Sequence, residues 1–146
     1  MEEVIKQIQK KIVKLLRTEN RQPLSVNSKD NCSELARLTG CWIMKKCPTS
    51  KASILKGRKI LKTRKSHDLL IVEDHGISYI IDPAVWQFFK TKRTILIGQT
   101  TNSTNCLIIA NKIYGGDWQI SEKFGIKKYD PAKLIKIVNT NIKQSK

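Results

Sequence analysis

Between residues 2 and 17, Val4, Ile5, Ile8, Ile12, Leu15 and Leu16 recur at three- and four-residue spacing with lysines between them, which predicts an amphipathic helix laying one stripe on a core. The polar stretch "TENRQPLSVNSKDN", residues 18 to 31, breaks this period and contains Pro23, so it reads as a loop. Apolar positions return at Leu35, Ala36 and Leu38, on a second helix. Asp30 or Asn31 stands where its cap belongs, and Glu34 follows Asn31 by three residues, the spacing of a capping box. Gly40 is expected to close that helix. "CWIMKK" then reads as a strand or a buried continuation, and "CPTSKAS" as a turn or loop.

From residue 68 the pattern changes. "DLLIV" and "ISYII" are β-branched, aromatic and apolar, and "EDHG" between them carries turn chemistry, which predicts an antiparallel hairpin over about 68–82 that Pro83 stops. "AVWQFF" reads as a helical turn or buried loop, and "RTILIG" as a further strand. "NSTNCLIIANKIYG" looks helical, with Asn102, Ser103 or Thr104 as its cap, and "GGDW" is a turn. Asp130 followed by Pro131 is a strong start for a last helix. Helix, then strands, then helices predict one α+β domain over residues 1–146, with an antiparallel sheet, an N-terminal helix at about 2–17 and a C-terminal helical region at about 103–143.

Composition narrows the class. With 146 residues, 40% of them hydrophobic, one domain with a real core is expected. No apolar run is long enough to span a bilayer, and the first twenty residues lack the apolar stretch and cleavage site of a secretory signal. A cytoplasmic site of action without membrane insertion is the expectation. The four cysteines, Cys32, Cys41, Cys47 and Cys106, are then expected as thiols. The spacings among Cys32, Cys41 and Cys47 are unlike the tight pairs of structural zinc sites, so no metal and no cofactor is expected. Lys and Arg number 28 against 12 Asp and Glu, a formal charge of +16. That excess fits a solvated lysine-rich surface, and it equally fits a footprint for a polyanion. It is densest in "KASILKGRKILKTRK", residues 51 to 65, where Lys56, Arg58, Lys59, Lys62, Arg64 and Lys65 are candidate partner-binding residues just before His67.

Candidate chemistry lies at element ends. Cys32 opens a helix, where the dipole favours a thiolate. His67 opens the first strand of the hairpin and Asp82 closes the second, so the two are expected roughly opposite each other and able to pair. A thiol, an imidazole and an orienting carboxylate follow the nucleophile–base–orienter logic of a triad. Cys41, in "GCW", is the rival nucleophile. It follows the expected helix end, and if the helix ran on, nine residues at about 100° each would set it on the face opposite Cys32. His75, in the turn, is the rival base and reads as a solvated turn residue. Backbone N–H groups at the helix start would serve as an oxyanion hole, with Gln22 as a side-chain donor. Asn31 and Trp86 are candidates to line the site.

"NC-SELA" at 31–36 and "H-DLLIVEDHGISYII-DPAVW" at 67–86 resemble the nucleophile helix and the His-strand, turn and Asp-Pro strand of the papain-like and transglutaminase-like superfamily of thiol enzymes, in its compact bacterial branch. The resemblance covers about residues 31 to 89. It implies a papain-like fold, an antiparallel sheet packed against a nucleophile helix, with Cys32, His67 and Asp82 catalytic. Gln22 would be the upstream glutamine of such enzymes, although its ten-residue gap to Cys32 is longer than the family's usual one. Compact papain-fold domains also occur as effector domains of bacterial polymorphic toxins. The resemblance therefore implies a hydrolase or transferase acting on an amide or acyl bond of a macromolecule, protein or RNA, with an acidic immunity or inhibitor protein as a further partner. The alternatives are an RNA-cleaving toxin, tRNA-directed for instance, on the same fold, and a non-enzymatic nucleic-acid-binding module. The 6% aromatic content, with no recognisable RNA-binding motif, counts against the last.

Overall fold

The computed structural model describes residues 1–17 and 21–144. Residues 18–20, at the start of the expected loop, lie outside the described residues. The chain forms helices α1 (Glu2–Arg17), α2 (Leu24–Asn27) and α3 (Cys32–Lys46), then strands β1 (Lys51–Arg58), β2 (His67–Asp74), β3 (Ile77–Ile81) and β4 (Leu96–Thr100). Helix α4 (Thr104–Tyr114), strand β5 (Asp117–Phe124) and helix α5 (Pro131–Gln144) complete it. The architecture is α+β, with a five-stranded antiparallel sheet in the order β4-β3-β2-β1-β5.

Two cores flank the sheet. On one face, Ile5, Ile8, Ile12 and Leu16 of α1 bury the predicted stripe against α3, α5 and the Ile54, Leu70, Val72 side of the strands. On the other, Cys106, Ala110 and Tyr114 of α4 pack on Leu55, Leu69, Ile71 and Ile80. β2 is therefore buried on both faces from His67 to Val72, which is why it reads as an unbroken apolar run instead of an alternation. The hairpin turn has positive φ at both His75 (49°) and Gly76 (77°), the conformation of a type I′ turn.

Several expectations are corrected. α3 does not stop at Gly40 but runs to Lys46, because Gly40 is where the helix meets the sheet: a Cβ there would lie 2.7 Å from Phe124 Cζ and 3.2 Å from Leu70 Cδ1. The capping box does not form. Asn31 Nδ2 donates instead to the Asn27 carbonyl at 2.8 Å, and its Oδ1 accepts from Asn141 at 2.9 Å, so tertiary bonds take the amide from the helix start. Asp30 precedes it with φ of 63°. The expected loop at 18–31 contains the short α2, and the basic stretch at 51–65 begins as β1. The C-terminal region is not wholly helical, since β5 lies between α4 and α5. β5 is an edge strand with little burial and a bulge opposite Ile54 and Leu55. The bulge turns Trp118 and Ile120 toward the α4 face and Glu122 and Phe124 toward the α3 face, which breaks the even spacing of one apolar face.

Candidate functional site

α3 runs alongside β2, with Arg37 Nη1 on Asp68 Oδ2 at 3.2 Å and Gly40 against Leu70. Its first residue, Cys32, therefore reaches the end of the sheet where β2 begins and β3 finishes. His67 and Asp82 meet at that end. His67 Nε2 lies 2.9 Å from Asp82 Oδ2, and both side chains are fully buried. They are not directly opposite. The ladder pairs Leu70 with Ile81, and continuing it sets Asp82 opposite Leu69, two residues past His67. A shift of two preserves the face, so a diagonal pair replaces the expected facing one.

The carboxylate is fully engaged. Ala84 N–H donates to Oδ1 at 3.0 Å, and Tyr114 O–H donates to Oδ2, the oxygen that also takes His67. Asp82 is itself pinned by its N–H on the Ile95 carbonyl at 2.8 Å. Phe88 stands edge-on to the imidazole with ring centres 4.9 Å apart, and the Tyr114 ring is 5.4 Å away. Burial opposes a charged imidazole, but the Asp82 charge and hydrogen bond outweigh it, the Cys32 thiol adds to the same effect, and His67 is pushed up to about 10. The balance favours the protonated imidazole, with Nε2–H donating to Asp82. Nδ1 is buried and has no hydrogen-bond partner among the described residues.

Cys32 is half-buried, and it is the member of the three that meets solvent. No side chain caps the start of its helix, because Asn31 is turned away, so the first-turn N–H groups beside Cys32 are left for another acceptor. Cys41 lies farther along the same helix, 2% exposed in the core, with its thiol pushed up by burial. Cys106 is buried under the opposite face and pushed up to about 11, by burial first and Glu73 second. All four cysteines are free thiols, and among the described residues no three His, Cys, Asp or Glu side chains converge as a metal site.

The other sequence candidates scatter. Gln22 is exposed in the segment before α2. Asn31 is 1% exposed and ties α2 to α5. Trp86 belongs to the core, where its indole N–H donates to the Lys92 carbonyl at 2.9 Å. His75 is in the hairpin turn at the far end of β2, its side chain 80% exposed. Lys56, Arg58, Lys59, Lys62, Arg64 and Lys65 are all exposed. Sequence reasoning misses Tyr114 and Phe88. Neither has a sequence signal, because Tyr114 closes a helix whose approach to Asp82 depends on tertiary packing.

Compared with known proteins, the chain matches no family model, no curated protein and no solved structure. No helix among the described residues is long and apolar enough to cross a membrane.

Proposed function

We propose that this chain is a cysteine-dependent enzyme of papain-like type, acting on an amide or acyl bond of a macromolecule, and that it works as a toxin effector in the cytoplasm of a target cell. The observation that carries the reading is the buried His67–Asp82 pair at 2.9 Å with Cys32 beside the imidazole at the uncapped start of α3. Cys32 thiolate attacks the carbonyl carbon, and the first-turn N–H groups of α3 take the developing oxyanion. His67, as imidazolium, gives its proton to the leaving nitrogen or oxygen. The resulting thioester is then opened by water, whose proton returns to His67. Asp82 holds the ring, and Tyr114 holds Asp82.

The test is growth arrest on induced expression. The wild-type chain arrests cells, and Cys32→Ala and His67→Ala do not, while circular dichroism shows the Cys32→Ala fold unchanged. Arrest by a folded Cys32→Ala protein would remove Cys32 from the chemistry.

A further inference from the structure

The end of β1 and the segment that leads to β2 carry six exposed cations, Lys56 and Arg58 on the strand and Lys59, Lys62, Arg64 and Lys65 after it, with no acidic residue from Lys51 through His67. None of the six makes an ion pair among the described residues, whereas Arg37, on the neighbouring helix, is paired with both Asp68 and Glu122. A run of unpaired cations repels itself, so a fold that holds them in one fixed arrangement has a cost that a polyanion would relieve.

The arrangement is fixed. Ile60 is fully buried in the α4-side core and anchors the loop. Its N–H donates to the Lys65 carbonyl at 3.2 Å, and the Thr63 hydroxyl donates to the Ile60 carbonyl at 2.7 Å while accepting from Lys65 N–H at 3.0 Å. Lys59, Leu61 and Lys62 are held at positive φ of 55°, 49° and 58°, a strained conformation for residues with side chains. The chain at Gly116 packs directly beneath: a Cβ there would lie 2.3 Å from the Arg58 carbonyl oxygen. Loop and glycine turn thus form one preorganised platform.

Beside the platform is an open depression of about 400 Å³, with Lys59 and Lys62 at its rim, Leu61 and Ile113 as its walls and Tyr114, only 1% exposed, beneath them. Tyr114 is the residue whose hydroxyl reaches Asp82, so the depression lies one side chain from the candidate triad. Across Gly57, Trp118 with Lys56 and Arg58 lines a second, smaller hollow, to which Asp117 adds one acid. Cations over apolar walls suit an unstacked base with its phosphates, and the depression is large enough for a small-molecule-sized group.

We propose that this face binds single-stranded nucleic acid, its phosphates on Arg58, Lys59 and Lys62 and a base in the depression against Leu61 and Ile113. The binding does not require the thiol chemistry, so it stands or falls separately.

The experiment measures the anisotropy of a short fluorescein-labelled oligouridylate between about 50 and 200 mM salt. The proteins are the wild type, Cys32→Ala, the triple variant Arg58→Glu/Lys59→Glu/Lys62→Glu, and a charge-matched control, Lys127→Glu/Lys133→Glu/Lys136→Glu. Wild type and Cys32→Ala should bind alike. The platform triple should lose more than about tenfold over the control, and its log–log salt slope should fall by roughly two, at about 0.7 per phosphate contact. In the wild type, bound RNA should shield Lys59 and Lys62 from acetylation while leaving Lys127 and Lys133 reactive, a readout that needs no variant to fold. Equal losses in the two triples, or no shielding of Lys59 and Lys62, would overturn the proposal. So would tighter binding to duplex, or displacement by poly-glutamate as effective as by unlabelled oligouridylate, which would make an acidic protein the partner.

Discussion

Asp82→Asn removes one charge from a buried pair and leaves the side chain's size unchanged. In the folded wild type His67 holds its proton up to about 10, against 6.5 for a free imidazole. That span, at about 1.4 kcal/mol per pH unit, sets the contribution of the arrangement at roughly 5 kcal/mol. It agrees with the roughly 3–5 kcal/mol lost when one partner of a buried ion pair is removed. The sign follows from which state holds the proton. The folded pKa is raised, so the stabilisation is fully present below about 6.5 and is lost as pH rises through about 10. In between, the folded state binds one proton more than the unfolded state, and stability falls with pH.

Urea denaturation between about pH 7 and 8 isolates this effect, because the buried thiols Cys41 and Cys106 and the raised tyrosines Tyr79, Tyr114 and Tyr129 add their own losses only at higher pH. The wild type should lose roughly 1 kcal/mol across that unit. Asp82→Asn should be less stable at pH 7 by about 3–5 kcal/mol. Its pH dependence should be flat, because an imidazole buried without a counter-charge stays neutral. A flat wild-type profile, or an Asp82→Asn profile parallel to it, would refute the argument that Asp82 holds His67 charged.

Tyr114→Phe removes the hydroxyl donated to Asp82 Oδ2 but leaves the His67 pair. Denaturation should show a loss of roughly 1.5–3 kcal/mol with the wild-type pH slope retained, so a lost slope would mean that Tyr114 controls the imidazole charge itself. Iodoacetamide with peptide mapping should label Cys32 before Cys47 and well before the buried Cys41 and Cys106; labelling of Cys47 first would count against activation at Cys32. Gly116→Ala places a Cβ 2.3 Å from the Arg58 carbonyl oxygen at a φ of 80°, and denaturation should show an unfolding free energy lower by more than the roughly 1–3 kcal/mol of backbone strain alone. His75→Ala should change stability by no more than about 0.5 kcal/mol and leave growth arrest intact, since the side chain is 80% exposed at the far end of β2.

What the sequence revealed depended on whether a feature was local. The α1 stripe and the β2–β3 hairpin are written in spacing and turn chemistry, and both are legible. So is the meeting of His67 and Asp82, because any tight hairpin around His75 and Gly76 brings those strand ends together. The offset of two between His67 and Asp82 keeps both side chains on one face, whereas an offset of one would send them to opposite faces. β1 was obscured by its charge, since Lys51, Lys56 and Arg58 sit at its exposed positions. β5 was obscured by its bulge and by its place at the sheet edge. The capping box had the right spacing and failed because Asn141, on the last helix, competes for Asn31. Tyr114 could not have been found, as nothing near residue 114 encodes that α4 ends over Asp82.

The burial of the His67–Asp82 pair bears on why the chain keeps it. Leu69, Phe88 and Tyr114 surround a site that apolar residues could fill, and replacing a buried ion pair by well-packed hydrophobic groups is often neutral or stabilising. Stability alone is therefore a poor reason for an imidazolium there. The arrangement is also more specific than a structural ion pair needs. One carboxylate oxygen takes the ring and Tyr114, the other is fixed by the Ala84 N–H, and the second ring nitrogen is left buried without a closed hydrogen bond. Strongly perturbed groups with one unspent valence beside a half-exposed cysteine are what acyl-transfer chemistry requires. The triad proposal thus rests on the contacts that are made: the buried His67–Asp82 pair, the Tyr114 and Ala84 bonds that hold its carboxylate, and the half-buried Cys32 beside it.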